Sequence, residues 1–94
     1  MFKDLDPLLH NQLRLSIMSL LMNLESAEFS WLLGKTGSTR GNLSVQISKL
    51  RDAGYIRVKK SFRNNYPLTS CSISKKGVDA FESYVEAIKS YLGQ

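Results

Sequence analysis

A run of short polar and basic side chains between residues 39 and 49 carries most of the hydrogen-bonding chemistry of this sequence. Arginine can pair with guanine and glutamine with adenine, whereas bulky apolar side chains in their place would block the major groove of DNA. Gln46 is therefore a candidate for contact with adenine, and Arg40 for contact with guanine or a phosphate. Gly41 would let a backbone approach closely, although a glycine is also simply tolerated near a helix start. The residues that we expect to contact such a partner here are Thr39, Arg40, Asn42, Ser44, Val45, Gln46 and Lys49.

The distribution of charge indicates a polyanionic partner. The 94-residue chain has a formal net charge of +5. The segment from Lys35 to Lys76 contains ten cations and one anion, Asp52, and so carries a net charge of +9, whereas the two flanks together carry −4. A positive field of this kind attracts phosphates. We expect a second group of contacts, mainly with phosphates, from Lys59, Lys60, Arg63 and Asn64.

Other classes of function find no support in the residues. One cysteine, Cys71, and one histidine, His10, cannot form an intrachain disulfide and are too few for a typical zinc site. There is no nucleophile–base pair, phosphate-binding glycine loop or pair of acids, so we predict neither an enzyme nor a cofactor. We interpret Cys71 as an inert buried thiol and His10 as a structural residue.

No segment predicts a membrane span or a secretion signal. The longest apolar stretch, residues 15–24, has about ten residues, whereas a spanning helix needs about 20. The first residues do not form a basic region followed by an apolar run, as a signal peptide does. We therefore expect a cytoplasmic protein with one domain, residues 1–94, and no membrane partner.

Two helices are predicted before the polar run. The Asp6–Pro7 pair is typical of a helix start, and apolar residues at three- and four-residue spacing continue this helix to about Asn23. Ser30 predicts the cap of a short second helix over residues 31–35. Arg14 lies within the apolar first helix, where we expect it to pair with a carboxylate.

The polar run itself is predicted to lie on a third helix. Gly37 interrupts the chain, and either Ser38 or Thr39 can cap the helix that follows. Gly54 is a typical residue just after a helix end, so the helix should stop before it. Its narrow buried stripe comprises Leu43, Ile47 and Leu50.

The period of the apolar residues changes from helical to alternating after Gly54, which predicts a β-hairpin. One strand has an apolar face formed by Ile56, Val58 and Phe62. Residues 63–67 have turn chemistry, and the return strand alternates serines with Thr69, Cys71 and Ile73. Ser74 can cap a last helix.

The last helix carries a second apolar pattern. Val78, Phe81, Val85, Ile88 and Leu92 follow a 3-4-3-4 spacing, which is typical of a coiled-coil seam. One small core does not need so many apolar residues, so we predict that the first and last helices pair with a second copy of the chain. The predicted interface comprises Leu9, Leu13, Phe81, Val85, Ile88 and Leu92.

The order of these elements resembles that of the winged helix-turn-helix regulators of the MarR and ArsR type, in particular their short single-domain members from archaea and bacteria. The resemblance covers nearly the whole chain. It rests on LDPLLH at 5–10, LRLSIM at 13–18, GNLS at 41–44, Ile47, Lys49-Leu50, AGYI at 53–56, KSF at 60–62, Pro67, Thr69, Gly77 and Ala80-Phe81.

The resemblance implies an α+β, mostly α fold, in which three helices, a β-hairpin wing and a C-terminal helix follow one another. It also implies a homodimer that binds double-stranded DNA and regulates transcription, more often as a repressor than as an activator. An effector stays unknown, because the chain lacks the paired cysteines of metal-sensing ArsR proteins and has shorter terminal helices than most MarR proteins. The alternative is a winged-helix adaptor that binds another protein and no DNA.

Overall fold

The computed structural model describes residues 1–93, in which four helices combine with a three-stranded antiparallel sheet. The elements in chain order are α1 (Gln12–Leu21), β1 (Ala27–Glu28), α2 (Phe29–Thr36), α3 (Arg40–Asp52), β2 (Ile56–Arg63), β3 (Tyr66–Ile73) and α4 (Lys75–Tyr91). The sheet has the strand order β1-β3-β2. This arrangement confirms the predicted mostly helical α+β winged-helix fold.

The first two helices begin at other residues than the sequence predicts. The Asp6 side chain accepts a hydrogen bond from the backbone N–H of Leu8, but the chain then forms a turn, and α1 begins only after Asn11, whose side chain caps it. The first helix also ends at Leu21, slightly before the predicted end. The second helix starts at Phe29 after Glu28, so Ser30 lies inside α2 and does not cap it.

The boundaries of α3 confirm the prediction. Thr39 is the N-cap, and its hydroxyl accepts a hydrogen bond of 3.1 Å from the backbone N–H of Asn42. Gly37 ends α2 in the left-handed conformation, and Gly54, also at positive φ, follows the end of α3. The predicted stripe is buried: Leu43, Ile47 and Leu50.

The hairpin has a tighter turn than the sequence indicates. Asn64 and Asn65 have φ values of 51° and 67°, and positive φ at both central residues is the condition for a type I′ turn. Pro67 therefore belongs to β3, opposite Phe62 in β2. Phe62 was predicted on the buried face, but it lies near the end of the hairpin, beyond the core, and is 76% exposed.

One core joins the helices to the inner face of the sheet. Leu9, predicted in the dimer interface, has no exposed surface within the single chain and belongs to this core, so that prediction is wrong. Cys71 is buried there, as expected. The helix α4 buries Tyr84 and Ala87, with Phe81 and Ile88 packed against the core at the edge.

Within residues 1–93, no helix is long and apolar enough to cross a membrane.

Candidate nucleic-acid interface

The helix α3 presents a polar surface opposite its buried stripe. Gly41, Val45 and Lys49 are spaced four residues apart, which places them in one row along the helix, and all three are exposed. Arg40 and Ser44 form a second exposed row beside the first. No atom lies within 4 Å of the position that a Cβ of Gly41 would take, so another molecule can approach the backbone there.

Two predicted contact residues have structural partners at the start of α3. Thr39 is exposed, but its hydroxyl caps the helix. The Arg40 guanidinium lies 5.9 Å from the centre of the Phe29 ring at the start of α2, which is a cation–π distance. The Arg40 side chain stays exposed.

Gln46 is the one predicted residue of α3 that is not exposed. It is half-buried because its amide oxygen accepts a hydrogen bond from Nη1 of Arg14 in α1, while its amide nitrogen donates to Oδ1 of Asn42 at 2.9 Å. The Nε of Arg14 donates to the backbone carbonyl of Leu8. Arg14 therefore binds an amide and a carbonyl, and the prediction that it pairs with a carboxylate is wrong.

The hairpin places its cations on both faces. Successive side chains of a strand point to opposite faces, so Arg57, Lys59 and Arg63 share the face opposite the core. Lys60 is on the same side of β2 as Val58 and Phe62, and all four cations are exposed. The predicted contact residue Asn64 is also exposed, in the turn.

Arg63 has a partner within the chain. Its Nη2 lies 3.1 Å from Oε2 of Glu28 in β1. The strand β1 is the edge strand opposite β2, with β3 between them. The Arg63 side chain is 62% exposed, so solvent weakens this ion pair. Nevertheless, a phosphate that binds Arg63 would have to compete with Glu28. Lys59, on the same face, is therefore less hindered than Arg63.

The predicted contact residues do not include Arg57 and Lys76. Arg57 alternates with the apolar residues of β2, and the same alternation identifies Lys59, so the signal was present in the pattern. Lys76 lies in the first turn of α4. Its Nζ lies 5.8 Å from the centre of the Tyr55 ring, and the residue stays exposed.

A separate apolar surface lies between α1 and α4. A groove of about 340 Å³ is lined by Leu15 and Ser19 of α1 and by Phe81, Tyr84, Val85 and Ile88 of α4. Three predicted interface residues therefore line one groove, and Leu92, which is 66% exposed, follows the end of α4. Leu13 lines a different hollow, beside Thr36, Ser38 and Asn42, whereas Leu15 is the α1 leucine that lines this groove.

The remaining candidate groups have no site geometry. Residues 1–93 contain no cluster of three or more metal-ligating side chains. Burial raises the pKa of the Cys71 thiol to about 11, which disfavours the reactive thiolate. His10 Nδ1 lies 3.0 Å from the Tyr84 hydroxyl, in keeping with a structural role for this histidine.

Comparison with known proteins agrees with this architecture. Residues 13–92 match the family described as winged helix DNA-binding domain. An uncharacterized protein from Methanocaldococcus jannaschii is 37% identical over 75 residues, which are 80% of this chain and 82% of that protein.

Solved structures are similar as well. The transcriptional regulator homologue from Pyrococcus horikoshii superposes with a TM-score of 0.85 at 27% identity, over 92% of this chain and 85% of that one. Bacillus subtilis PadR, solved in complex with operator DNA, has a TM-score of 0.71 at 12% identity, over 80% of this chain and 48% of PadR. At that identity the likeness to PadR concerns the fold alone. These findings confirm the predicted resemblance to winged helix transcriptional regulators.

Proposed function

The chain belongs to the winged helix DNA-binding domain family, and we propose that it binds a specific double-stranded DNA site as a homodimer and represses transcription there. The observation that carries this proposal is the exposure of the cations between residues 35 and 76. All ten are exposed, and among residues 1–93 only Arg51, Arg63 and Lys75 pair with carboxylates.

In the proposed complex, α3 enters the major groove. Its exposed rows include polar and basic side chains that can approach base edges, such as Ser44 and Lys49. The hairpin cations contact phosphates on an adjacent part of the duplex, and these contacts add affinity without reading the sequence. PadR, which has a similar fold, was solved in complex with operator DNA, and this supports DNA binding by a chain of this fold.

The proposed dimer forms through the α1–α4 groove. Val85 is 37% exposed and Leu92 66% exposed, and burying such apolar surface against a second copy stabilises association. Two copies related by a twofold axis present two α3 helices, so the DNA site should be nearly palindromic. Its half-site centres should lie about 34 Å apart, one turn of the double helix.

Repression follows from occupancy of a promoter in this proposal. A dimer that covers two half-sites prevents other proteins from binding the same DNA and needs no further contact with the transcription machinery. In a reconstituted transcription reaction, the protein should lower the yield from a promoter that contains its site. An increased yield would identify an activator instead.

The salt dependence of binding tests the role of the hairpin. Binding to a duplex from upstream of the gene itself, and to an unrelated duplex, should weaken steeply with salt, since each neutralised phosphate releases about 0.9 counterion. Lys59→Ala should lower the log–log slope by about one per subunit, or about two per dimer, on both duplexes. The matched control is Lys3→Ala, which removes the same charge outside the basic segment and should leave the slope unchanged.

The result distinguishes the two functional hypotheses. An equal slope for Lys59→Ala and the wild type would contradict the proposed hairpin contact. Failure of the wild-type protein to bind any duplex at low salt would contradict DNA binding as a whole and would favour the protein-binding adaptor.

A charge in the groove tests the dimer. Val85→Glu should fold, because residue 85 is partly exposed in the single chain, but it would bury a carboxylate at the interface and should produce a monomer in analytical ultracentrifugation. Ser83→Glu is the matched control, since Ser83 is exposed on α4 and does not line the groove. A wild-type protein that is monomeric at tens of micromolar would exclude this assembly.

A further inference from the structure

The amide groups of Asn42 and Gln46 are not equivalent candidates for contact with a base. The Gln46 amide has a hydrogen-bond partner at its oxygen and another at its nitrogen, both within the chain. The paired contact of glutamine with adenine uses both of these atoms. Gln46 could therefore contact adenine only with the second lone pair of its oxygen and the second N–H of its nitrogen, in the orientation that the two internal hydrogen bonds impose.

Arg14 fixes the orientation of the Gln46 amide. A guanidinium group has only donors, so the atom of Gln46 that faces it must be the oxygen. The amide nitrogen then points to the other side, where it donates to Oδ1 of Asn42. Arg14 is itself held by the backbone carbonyl of Leu8, which precedes α1. Arg14 thus determines which atoms donate and which accept in the hydrogen bonds that run from Arg14 through Gln46 to Asn42.

Asn42 is left with one free polar group that is fixed in position. Its Oδ1 accepts from Gln46, and its backbone N–H is held by Thr39. Its amide nitrogen forms no hydrogen bond within residues 1–93, although the residue is exposed on the first turn of α3. This end of the helix presents a hydrogen-bond donor to its surroundings.

We infer that Asn42 is a base-reading residue of α3, that it donates from its amide nitrogen, and that Arg14 and Gln46 are positioning residues. The inference rests on the proposed DNA binding and specifies how one base pair of each half-site is read. A donor prefers an acceptor on the major-groove edge, such as guanine O6 or N7 or thymine O4, and disfavours the amino group of cytosine.

A panel of duplexes with each base pair of the half-site replaced in turn tests the inference in the full-length protein. Asn42→Asp replaces the free donor by an acceptor with little change of shape, and a carboxylate near a helix N-terminus is favourable, so the variant should fold. At one pair per half-site, its preference should change to a base that presents an amino group, cytosine or adenine.

Arg14→Met tests the positioning role. It should reduce the preference at the same base pair by about fivefold to a hundredfold, the usual range for one good base contact. Arg14→Lys, which retains a donor, should restore part of the preference. Arg51→Met is the matched control, since it removes the same side chain at the other end of α3 and should leave the base preference unchanged. Thermal unfolding of each variant establishes that it is folded.

The outcomes separate positioning from other roles of Arg14. A merely structural role would lower affinity for all duplexes equally, and a phosphate contact would lower the salt slope on unrelated DNA; either result without a changed base preference overturns the positioning role. If the wild type discriminates between bases but Asn42→Asp has the same profile, the inference fails while the proposed function stands. If the wild type binds no duplex, both fail.

Discussion

Replacement of Gly77 by alanine tests how closely α4 packs against the start of the hairpin. A Cβ at this position would lie 2.0 Å from the backbone oxygen of Tyr55 and 2.9 Å from Cγ1 of Ile73. The nearest obstacle is a backbone atom, which cannot move aside as a flexible side chain can. The Tyr55 carbonyl also accepts a hydrogen bond of 3.0 Å from the backbone N–H of Ser74, so its displacement would disturb the cap of α4.

The sign of the effect depends on three contributions to the free energy of unfolding. Alanine in place of glycine inside a helix stabilises by about 0.5–1 kcal/mol. Overpacking costs about 1–3 kcal/mol, and the loss of the hydrogen bond between Ser74 and Tyr55 about 0.5–1.5 kcal/mol. The two costs exceed the gain, and we expect Gly77→Ala to lower the free energy of unfolding by roughly 2 kcal/mol.

Urea unfolding followed by circular dichroism measures this difference. All variants should be compared at one protein concentration, because the proposed dimer would make the stability depend on concentration. Gly34→Ala is the matched control: Gly34 lies in α2 with no atom within 4 Å of its Cβ position, so this substitution should stabilise by up to about 1 kcal/mol. A Gly77→Ala protein as stable as the wild type would refute the packing argument.

Three further results are expected. Thr39→Ala should lower the free energy of unfolding by about 1 kcal/mol in the same urea assay, because α3 loses its cap; an unchanged midpoint would contradict this role. Burial and the hydrogen bond to Asp6 raise the pKa of Tyr55 from 10.0 to about 12. Its contribution to stability should therefore be complete below about pH 10 and lost as the pH rises towards 12; Tyr55→Phe should remove this part of the alkaline loss, and identical pH profiles would argue against it. Cys71 should react slowly with a thiol reagent at pH 8 and rapidly in urea, since burial raises its pKa to about 11; equal rates would contradict its burial.

Local signals in the sequence predicted most of the fold. The stripe of Leu43, Ile47 and Leu50 and the cap at Thr39 determine α3 within one short segment, and the structure has both. The alternation of apolar and polar residues after Gly54 predicted the hairpin in the same way. Such patterns succeed because helix and strand periods follow directly from backbone geometry.

The errors concern residues whose partners are distant in the sequence. Asp6 is of a residue type that often caps helices, but its carboxylate also accepts a hydrogen bond from the Tyr55 hydroxyl, and the helix begins later. Gln46 was expected to face outward, yet Arg14, 32 positions earlier, holds its amide. Apolar character alone also could not distinguish Leu9, which lies in the core, from Val85, which stays partly exposed. Each of these assignments depends on how α1 packs against the rest of the chain.

The charges of the molecule are unevenly distributed, with a basic middle segment and acidic flanks. Four carboxylates and one lysine line one hollow, where α4 meets the N-terminal segment: Asp4, Asp79, Glu82, Glu86 and Lys3. Seven of the ten cations between residues 35 and 76 lie instead on α3 and β2. A polyanion is therefore attracted more strongly to α3 and the hairpin than to the hollow. The acidic flanks reduce the net charge to +5 without neutralising α3 and the hairpin, which limits the attraction of a polyanion to the remaining faces.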